Sequence, residues 1–176
     1  MKEFNFKKRK LENKEIIFKK KKDFRGHLAR IFCKKKYSNL IKNFSIKQIN
    51  HTLTKKKGTI RGLHFQTKPF EEDKIVLCLK GRVFDIALDV RKYSKNFLKF
   101  DKIILSENKT NLHFIPKGYA HGFQSLTDNC ELLYLHTNFY STRKSKSICP
   151  IQSKLKINWP IKKKIISNKD KLGKKY

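Results

Sequence analysis

No apolar run in these 176 residues approaches the roughly 18 needed to cross a bilayer as a helix, and the first 30 residues lack the continuous apolar stretch of a secretory signal. A cytoplasmic protein with no membrane partner is the expectation. Cysteine is sparse: Cys33, Cys78, Cys130 and Cys149 are widely spaced, with no C-x-x-C pair. That spacing favours reduced, mostly buried thiols over a zinc site or a disulfide framework. Acidic residues are few, 14 against 44 Lys and Arg, for a net charge of +30. Arginine is scarce too, only 7 of the 44, although Arg is the better residue for bidentate phosphate and base-edge contacts.

The placement of the charge decides what it means. Residues 58–140 carry 12 basic and 9 acidic groups, whereas the other 93 residues carry 32 basic and 5 acidic. The excess sits in flanking clusters such as Lys7 to Lys10, Lys19 to Lys22 and Lys162 to Lys164. Charge runs of that kind are usually solvated faces, so nucleic acid is not the expected partner. With 38% hydrophobic residues and 14 Phe, the chain has the composition of one globular domain over 1–176. Within it, 1–22 reads as a basic N-terminal segment and 171–176 as a frayed tail.

The middle of the chain reads as β structure. Ile75 to Leu79, a Lys80-Gly81 turn and Arg82 to Val90 form a hairpin signal. In the second run Phe84, Ile86, Leu88 and Val90 share one face, while Asp85 and Asp89 point the other way. Further strands are predicted at 100–105, 112–115, 123–126 and 130–137, and five of the seven glycines lie between Gly58 and Gly122. Short, closely spaced strands predict an antiparallel sandwich or barrel. Helix is expected only in small peripheral pieces, such as a turn capped by Ser167 ahead of Asp170.

Two segments place His beside Gly in strand-rich sequence: Gly58-Thr-Ile-Arg-Gly-Leu-His-Phe-Gln66 and Ile115-Pro-Lys-Gly-Tyr-Ala-His-Gly-Phe123. They resemble the two half-motifs of a cupin, a small jelly roll. Metal-binding cupins use an H-x-H pair, a Glu and a later His; Gln66 stands at the second position of that pair and is a poor ligand for a transition metal. His64, Glu72 and His121 remain a conceivable three-ligand set. A metal-dependent cupin enzyme and a non-catalytic basic β domain are therefore the alternatives to weigh.

The ordered set Asp23-x-Arg-Gly26, Gln48-x-Asn50, Arg61 to Gln66, Lys74-Ile-Val76, Asp89-Val-Arg91, Ile115 to Phe123, Tyr134 through Tyr140, Trp159-Pro160 and Ser167 to Asp170 is far more specific. It resembles the dTDP-4-dehydrorhamnose 3,5-epimerase family, over about residues 23–170. The resemblance implies a cupin-type jelly roll, a homodimer, a nucleotide-sugar substrate with a 4-keto-6-deoxy sugar, and neither metal nor organic cofactor. A C4 ketone acidifies the protons on C3 and C5, so inversion needs a base on one face, an acid on the other and a group to hold the enolate oxygen. By the same resemblance His64 is the base, Asp170 its carboxylate partner, Tyr134 the acid, and Lys74 with Arg61 holds the oxyanion and the substrate. Arg25, Gln48, Asn50, His121, Tyr140 and Lys169 are the implied nucleotide and sugar contacts. His27, His51, His113 and His136 are read as structural or surface residues.

The chain departs from the family pattern at Ala29-Arg30, Ser145 and Gln152-Ser153, where acidic residues or an Asp-Pro are common; these changes bear on binding more than on proton transfer. Strict alternation also places Arg61 and His64 on opposite faces of one strand. If both line one site, Gly62 must mark a bulge or a strong twist.

Overall fold

Apolar residues in the central strands fall at odd and even positions alike, so these strands have no polar face to give to water. The computed structural model describes residues 4–38, 41 and 45–176 and buries both faces of two opposed sheets. The N-terminal strands are β1 (Phe4–Lys8), β2 (Lys14–Phe18), β3 (Lys20–Asp23) and β4 (Gly26–Ala29), followed by the short helix α1 (Lys34–Ser38). Then come β5 (Gln48–Thr54), β6 (Thr59–Gln66), β7 (Lys74–Lys80), β8 (Arg82–Asp89) and β9 (Phe100–Ser106). The last strands are β10 (Asn111–Ile115), β11 (Tyr119–Ser125), β12 (Cys130–His136), β13 (Ser145–Ser147) and β14 (Ile165–Ile166), ahead of the helical turn α2 (Asn168–Lys171).

One sheet runs β1-β2-β10-β7-β12-β5 and the other β13-β6-β11-β8-β9, with β14 parallel on β6; β3 and β4 form a separate ribbon. This is the expected antiparallel jelly roll, with helix only at the periphery. Three apolar clusters hold it. Val76, Ala87, Leu105, Phe123 and Leu132 fill the space between the sheets. Tyr37 of α1 packs with Phe4, Ile16, Phe18 and Leu112 on the outside of the first sheet. Trp159 and Leu155 cover Phe84, Ile86 and Leu88 on the outside of the second. The apolar face of β8 is therefore the outer one, and Asp85 and Asp89 point into the barrel, fully buried.

Three sequence readings change. The hairpin through Gly81 is a corner between sheets, because β7 pairs with β10 and β12 while β8 pairs with β9 and β11. Gly81 makes the corner at φ +78°, where an added Cβ would lie 2.5 Å from Thr127 Oγ1. The basic segment 1–22 is not a mere flank: β1 and β2 extend the first sheet, and Phe4, Ile16 and Phe18 are buried between the lysines. The tail 171–176 is docked rather than frayed. Lys174 exchanges backbone hydrogen bonds with Ser147 and Cys149, the Tyr176 N–H donates to Gln152 Oε1 at 2.7 Å, and the Tyr176 ring meets Phe97 edge-on.

A bulge resolves the position of Arg61. His121 of β11 stands opposite His64 and Phe123 opposite Arg61, so Gly62 and Leu63 together face Gly122 alone. The extra residue shifts the alternation by one, and Arg61 and His64 line the same cavity. Gly62 has φ +119°, and a Cβ on it would sit 2.6 Å from Gly122 Cα and 2.7 Å from the His121 carbonyl oxygen.

Gly62→Ala is expected to destabilise the protein by roughly 2–4 kcal/mol in urea unfolding, through left-handed strain and backbone overlap together. A change within about 0.5 kcal/mol would mean that the two glycines do not set the bulge. A second expectation concerns acid. Burial alone would raise the carboxyls of Asp89 and Asp101, but hydrogen bonds from Arg91 and Ser94 to the first, and from Arg9 and the Lys102 N–H to the second, hold both below the usual range. Folded values below the unfolded value of about 4 give a stabilisation that is complete above that pH and lost as pH falls through the folded values. The urea midpoint should therefore fall more steeply below about pH 4, with a shallower acid fall there in Asp101→Asn. Equal acid slopes in the two proteins would refute it.

Candidate active site

Between the sheets, at the end where β5, β6, β7, β11 and β12 converge, lies a cavity of about 680 Å³. Every candidate residue from the sequence lines it except Arg25. Ile60, Phe65, Phe123 and Ile166 line it beside bases and amides, the usual make-up of a small-molecule site.

On the second sheet, His64 of β6 is half exposed to the cavity and its Nε2 lies 2.7 Å from Asp170 Oδ1. Ser167 caps the turn α2 by accepting from the Asp170 N–H, which aims that carboxylate inward. The Gly62 N–H donates to the other carboxylate oxygen at 3.2 Å. Burial alone would raise the Asp170 carboxyl, but hydrogen bonding and charge from His64, with the Gly62 N–H, hold it below the usual carboxylate range. An ionised carboxylate only accepts, so His64 Nε2 carries the proton and Nδ1 holds the lone pair.

The opposite wall belongs to the first sheet. Tyr134 of β12 is almost fully buried, stacked on His136 at 6.0 Å and edge-on to His121 at 5.9 Å. Burial pushes its phenol well above the ordinary tyrosine value, so it holds its proton at neutral pH. Lys74 of β7 is buried, with Nζ 3.1 Å from Glu72 Oε1; the other Glu72 oxygen meets His136 Nδ1 at 2.9 Å. Burial would raise Glu72, yet His136 and Lys74 keep it below its usual value. At the rear, His121 Nε2 is 2.8 Å from Asp85 Oδ2. Three carboxylates thus stand behind four cavity bases, leaving the lined face rich in cations and donors.

The remaining candidates ring the mouth. Gln48 donates to Asn50 Oδ1 and accepts the Tyr140 N–H, which joins β5 to the segment after β12. Arg61 donates to Thr54 Oγ1 and the Leu53 carbonyl, and Lys169 is exposed at the rim. Arg25 lies on the β3–β4 ribbon, exposed and paired with Asp23. It does not line the cavity of its own chain. Gln66 ties two loops together, donating to the Phe70 and Phe139 carbonyls and accepting from the Ser141 N–H. Among the described residues no group of three or more His, Cys, Asp or Glu is placed to hold a metal ion. His64, Glu72 and His121 each spend their contacts on separate partners. Sequence reasoning missed His136 and gave Glu72 only as a metal ligand. Period-two alternation already put His136 on the Tyr134 face, and that was the usable signal.

Comparisons with known proteins identify the family. The family model described as dTDP-4-dehydrorhamnose 3,5-epimerase matches residues 11–176. A dTDP-4-dehydrorhamnose 3,5-epimerase of Shigella flexneri is 38% identical over 156 residues, covering 88% of this chain and 85% of that protein. Among solved structures, the Legionella pneumophila dTDP-6-deoxy-D-glucose-3,5-epimerase in complex with dTDP-4-keto-L-rhamnose superposes with a TM-score of 0.92 at 33% identity, over 97% of this chain and 91% of that one. The dTDP-4-dehydrorhamnose 3,5-epimerase of Sulfolobus tokodaii gives a TM-score of 0.91 at 36% identity, covering 98% and 94% of the two chains. On a match that takes in both sheets, the cavity and the docked tail, this chain belongs to the dTDP-4-dehydrorhamnose 3,5-epimerase family.

Proposed function

We propose that the protein inverts C3, C5 or both in a dTDP-linked 4-keto-6-deoxy sugar of the dTDP-4-dehydro-6-deoxyglucose type, a reaction of deoxysugar and cell-surface polysaccharide synthesis. One observation carries the reading: the His64–Asp170 pair and the Tyr134 phenol stand on opposite sheets across one cavity, with Lys74 on the Tyr134 wall, opposite His136 in the register of β7 and β12. His64 Nδ1 takes the proton from the carbon next to the ketone, and Asp170 orients the ring and stabilises the imidazolium. The electron pair moves onto the C4 oxygen as an enolate, which Lys74 neutralises. Tyr134 returns a proton to the same carbon from the other face. The C–H bond broken and the C–H bond formed balance without an oxidant or reductant. Arg61, His121, Lys169, Gln48, Asn50 and Tyr140 supply charge and hydrogen bonds for the diphosphate, base and sugar.

The protein works as a homodimer in the cytoplasm. Strand β5 ends the first sheet with Ile49 and Leu53 exposed, and the β3–β4 ribbon presents Phe24 at 98% and Leu28 at 70% exposure. Among the described residues that strand edge is unpaired, and with the bare apolar side chains it fits a second copy, which would add the partner's Arg25 to the site. Four free cysteines, three of them buried, suit a reducing compartment.

Incubation with dTDP-4-keto-6-deoxyglucose in deuterated water should give inverted, deuterated sugar. His64→Asn should lose exchange and inversion together by several orders of magnitude, while Tyr134→Phe should keep exchange and lose more of the inversion. Activity within about tenfold of the parent in folded His64→Asn would remove the base from the scheme. For the dimer, Arg25→Ala and His64→Asn should each be weak alone, but refolded as an equal mixture they should recover about a quarter of the parent rate, because half the dimers carry one intact site. No recovery on mixing would place Arg25 in its own chain's site or outside the reaction.

A further inference from the structure

Behind His121 a chain of buried polar groups crosses the barrel, and the mechanism does not use its far half. Asp85 of β8 bridges two imidazoles, His121 Nε2 on one oxygen and His113 Nδ1 on the other at 2.6 Å. His113 belongs to β10, in the opposite sheet, and is wholly buried. Its Nε2 lies 2.8 Å from Asn13 Nδ2, and the same Nδ2 lies 3.3 Å from Asp101 Oδ2. Asp101 in turn is held by Arg9, with Nε 3.0 Å from Oδ2, near the surface.

Hydrogen-bond direction propagates along this chain without a free choice. The Arg9 guanidinium donates only, and it keeps Asp101 an ionised acceptor. Asn13 must then turn its NH₂ toward Asp101; flipped, its carbonyl oxygen would face a carboxylate oxygen. The second N–H of that amide points at His113 Nε2, which must accept, so the His113 proton sits on Nδ1 and goes to Asp85. Asp85, acceptor only, takes the Nε2 proton of His121. What remains is His121 Nδ1, with its lone pair, as the ring atom that the network leaves unengaged. Asn13 Oδ1 is buried with no hydrogen-bond partner, which is the cost of holding the amide this way round. Burial, the leading influence, also lowers the His121 pKa from its ordinary value, and the neighbouring Lys74 acts in the same direction against Asp85.

We infer that Asn13 and His113 are positioning residues that fix the tautomer of His121 through Asp85, so that His121 meets the substrate with Nδ1 as a hydrogen-bond acceptor. The ligand group it takes is a hydroxyl donor of the sugar or ribose. This rests on the proposed function for the identity of the substrate, but not for the tautomers.

Two-bond proton–nitrogen spectra of the histidine side chains in the ligand-free parent decide the first half. The expected pattern is His113 protonated on Nδ1 and bare on Nε2, with His121 protonated on Nε2 and bare on Nδ1. A proton on His113 Nε2, or on His121 Nδ1 in place of Nε2, would overturn the inference without any variant. For the second half, His113→Leu removes the donor to Asp85 at similar volume, and His113→Gln restores one. The Leu variant should show mixed His121 tautomers and a kcat about tenfold lower with KM within about twofold, and the Gln variant should recover most of that loss. Unchanged His121 signals in the Leu variant, or a Gln variant no better than Leu, would reduce His113 to packing. An inactive parent with the expected tautomers would defeat the substrate assignment and leave the network standing.

Discussion

The Asp170 carboxylate joins the parts of this protein that matter for a reaction. One oxygen meets the His64 ring and the other accepts the Gly62 N–H at the centre of the bulge. The bulge puts His64 and Arg61 on one face of β6, and the turn α2 that carries Asp170 is held by its Ser167 cap and by β14 pairing with β6 just before it. The end of the chain is thereby fastened to the strand that bears the base. Docking of the tail through Lys174 and Tyr176 extends the same attachment. A shift of this last segment would change the orientation and charge environment of His64, although the two residues lie far apart in sequence.

A barrel covered outside by apolar layers has little choice about where its charged groups can do chemistry. Buried carboxylates persist only when paired and hydrogen-bonded, because an isolated one would protonate or unfold its surroundings. Asp170, Glu72 and Asp85 meet that requirement by binding His64, Lys74 with His136, and His121 with His113. The pairing also orients each base by the atom that is already taken. Stability and reactivity therefore draw on the same contacts.

Much of this was legible in the sequence, for reasons that differ by element. Strands β9, β10 and β12 were readable because short runs rich in apolar residues lie between turn residues, and the Ser167 cap because its chemistry is local. The corner at Gly81 was misread since a Gly turn between two apolar runs looks the same whether the strands pair or part into two sheets. β1 and β2 hid among lysines whose charge outweighed the alternation of Phe4 with Phe6 and of Ile16 with Phe18. The cavity residues came mostly from family motifs; spacing alone left Tyr134 a strand aromatic and separated Arg61 from His64. His113 and His136 were read as structural or surface residues and Glu72 as a metal ligand, because their contacts rest on partners about 28 to 86 positions away, at distances alternation cannot register.

The large positive charge follows from where the few acids are used. Glu72, Asp85, Asp89, Asp101 and Asp170 are enclosed by partners, so they offset little of the surface lysine. Arginine follows the same division. Arg9 and Arg91 grip buried carboxylates, Arg61 braces the cavity wall against Thr54, and Arg25 is fixed on Asp23. Arg9 and Arg91 hold positions that need a rigid, forked donor, while the clustered lysines hold solvated positions that need only a charge. Lysine clusters on β1, on β3 and after Trp159 lie on separate segments of the fold, and none of them contributes to the cavity. The charge that dominates the composition is thus a property of the solvated exterior, and the chemistry depends on the smaller, balanced set of ions inside.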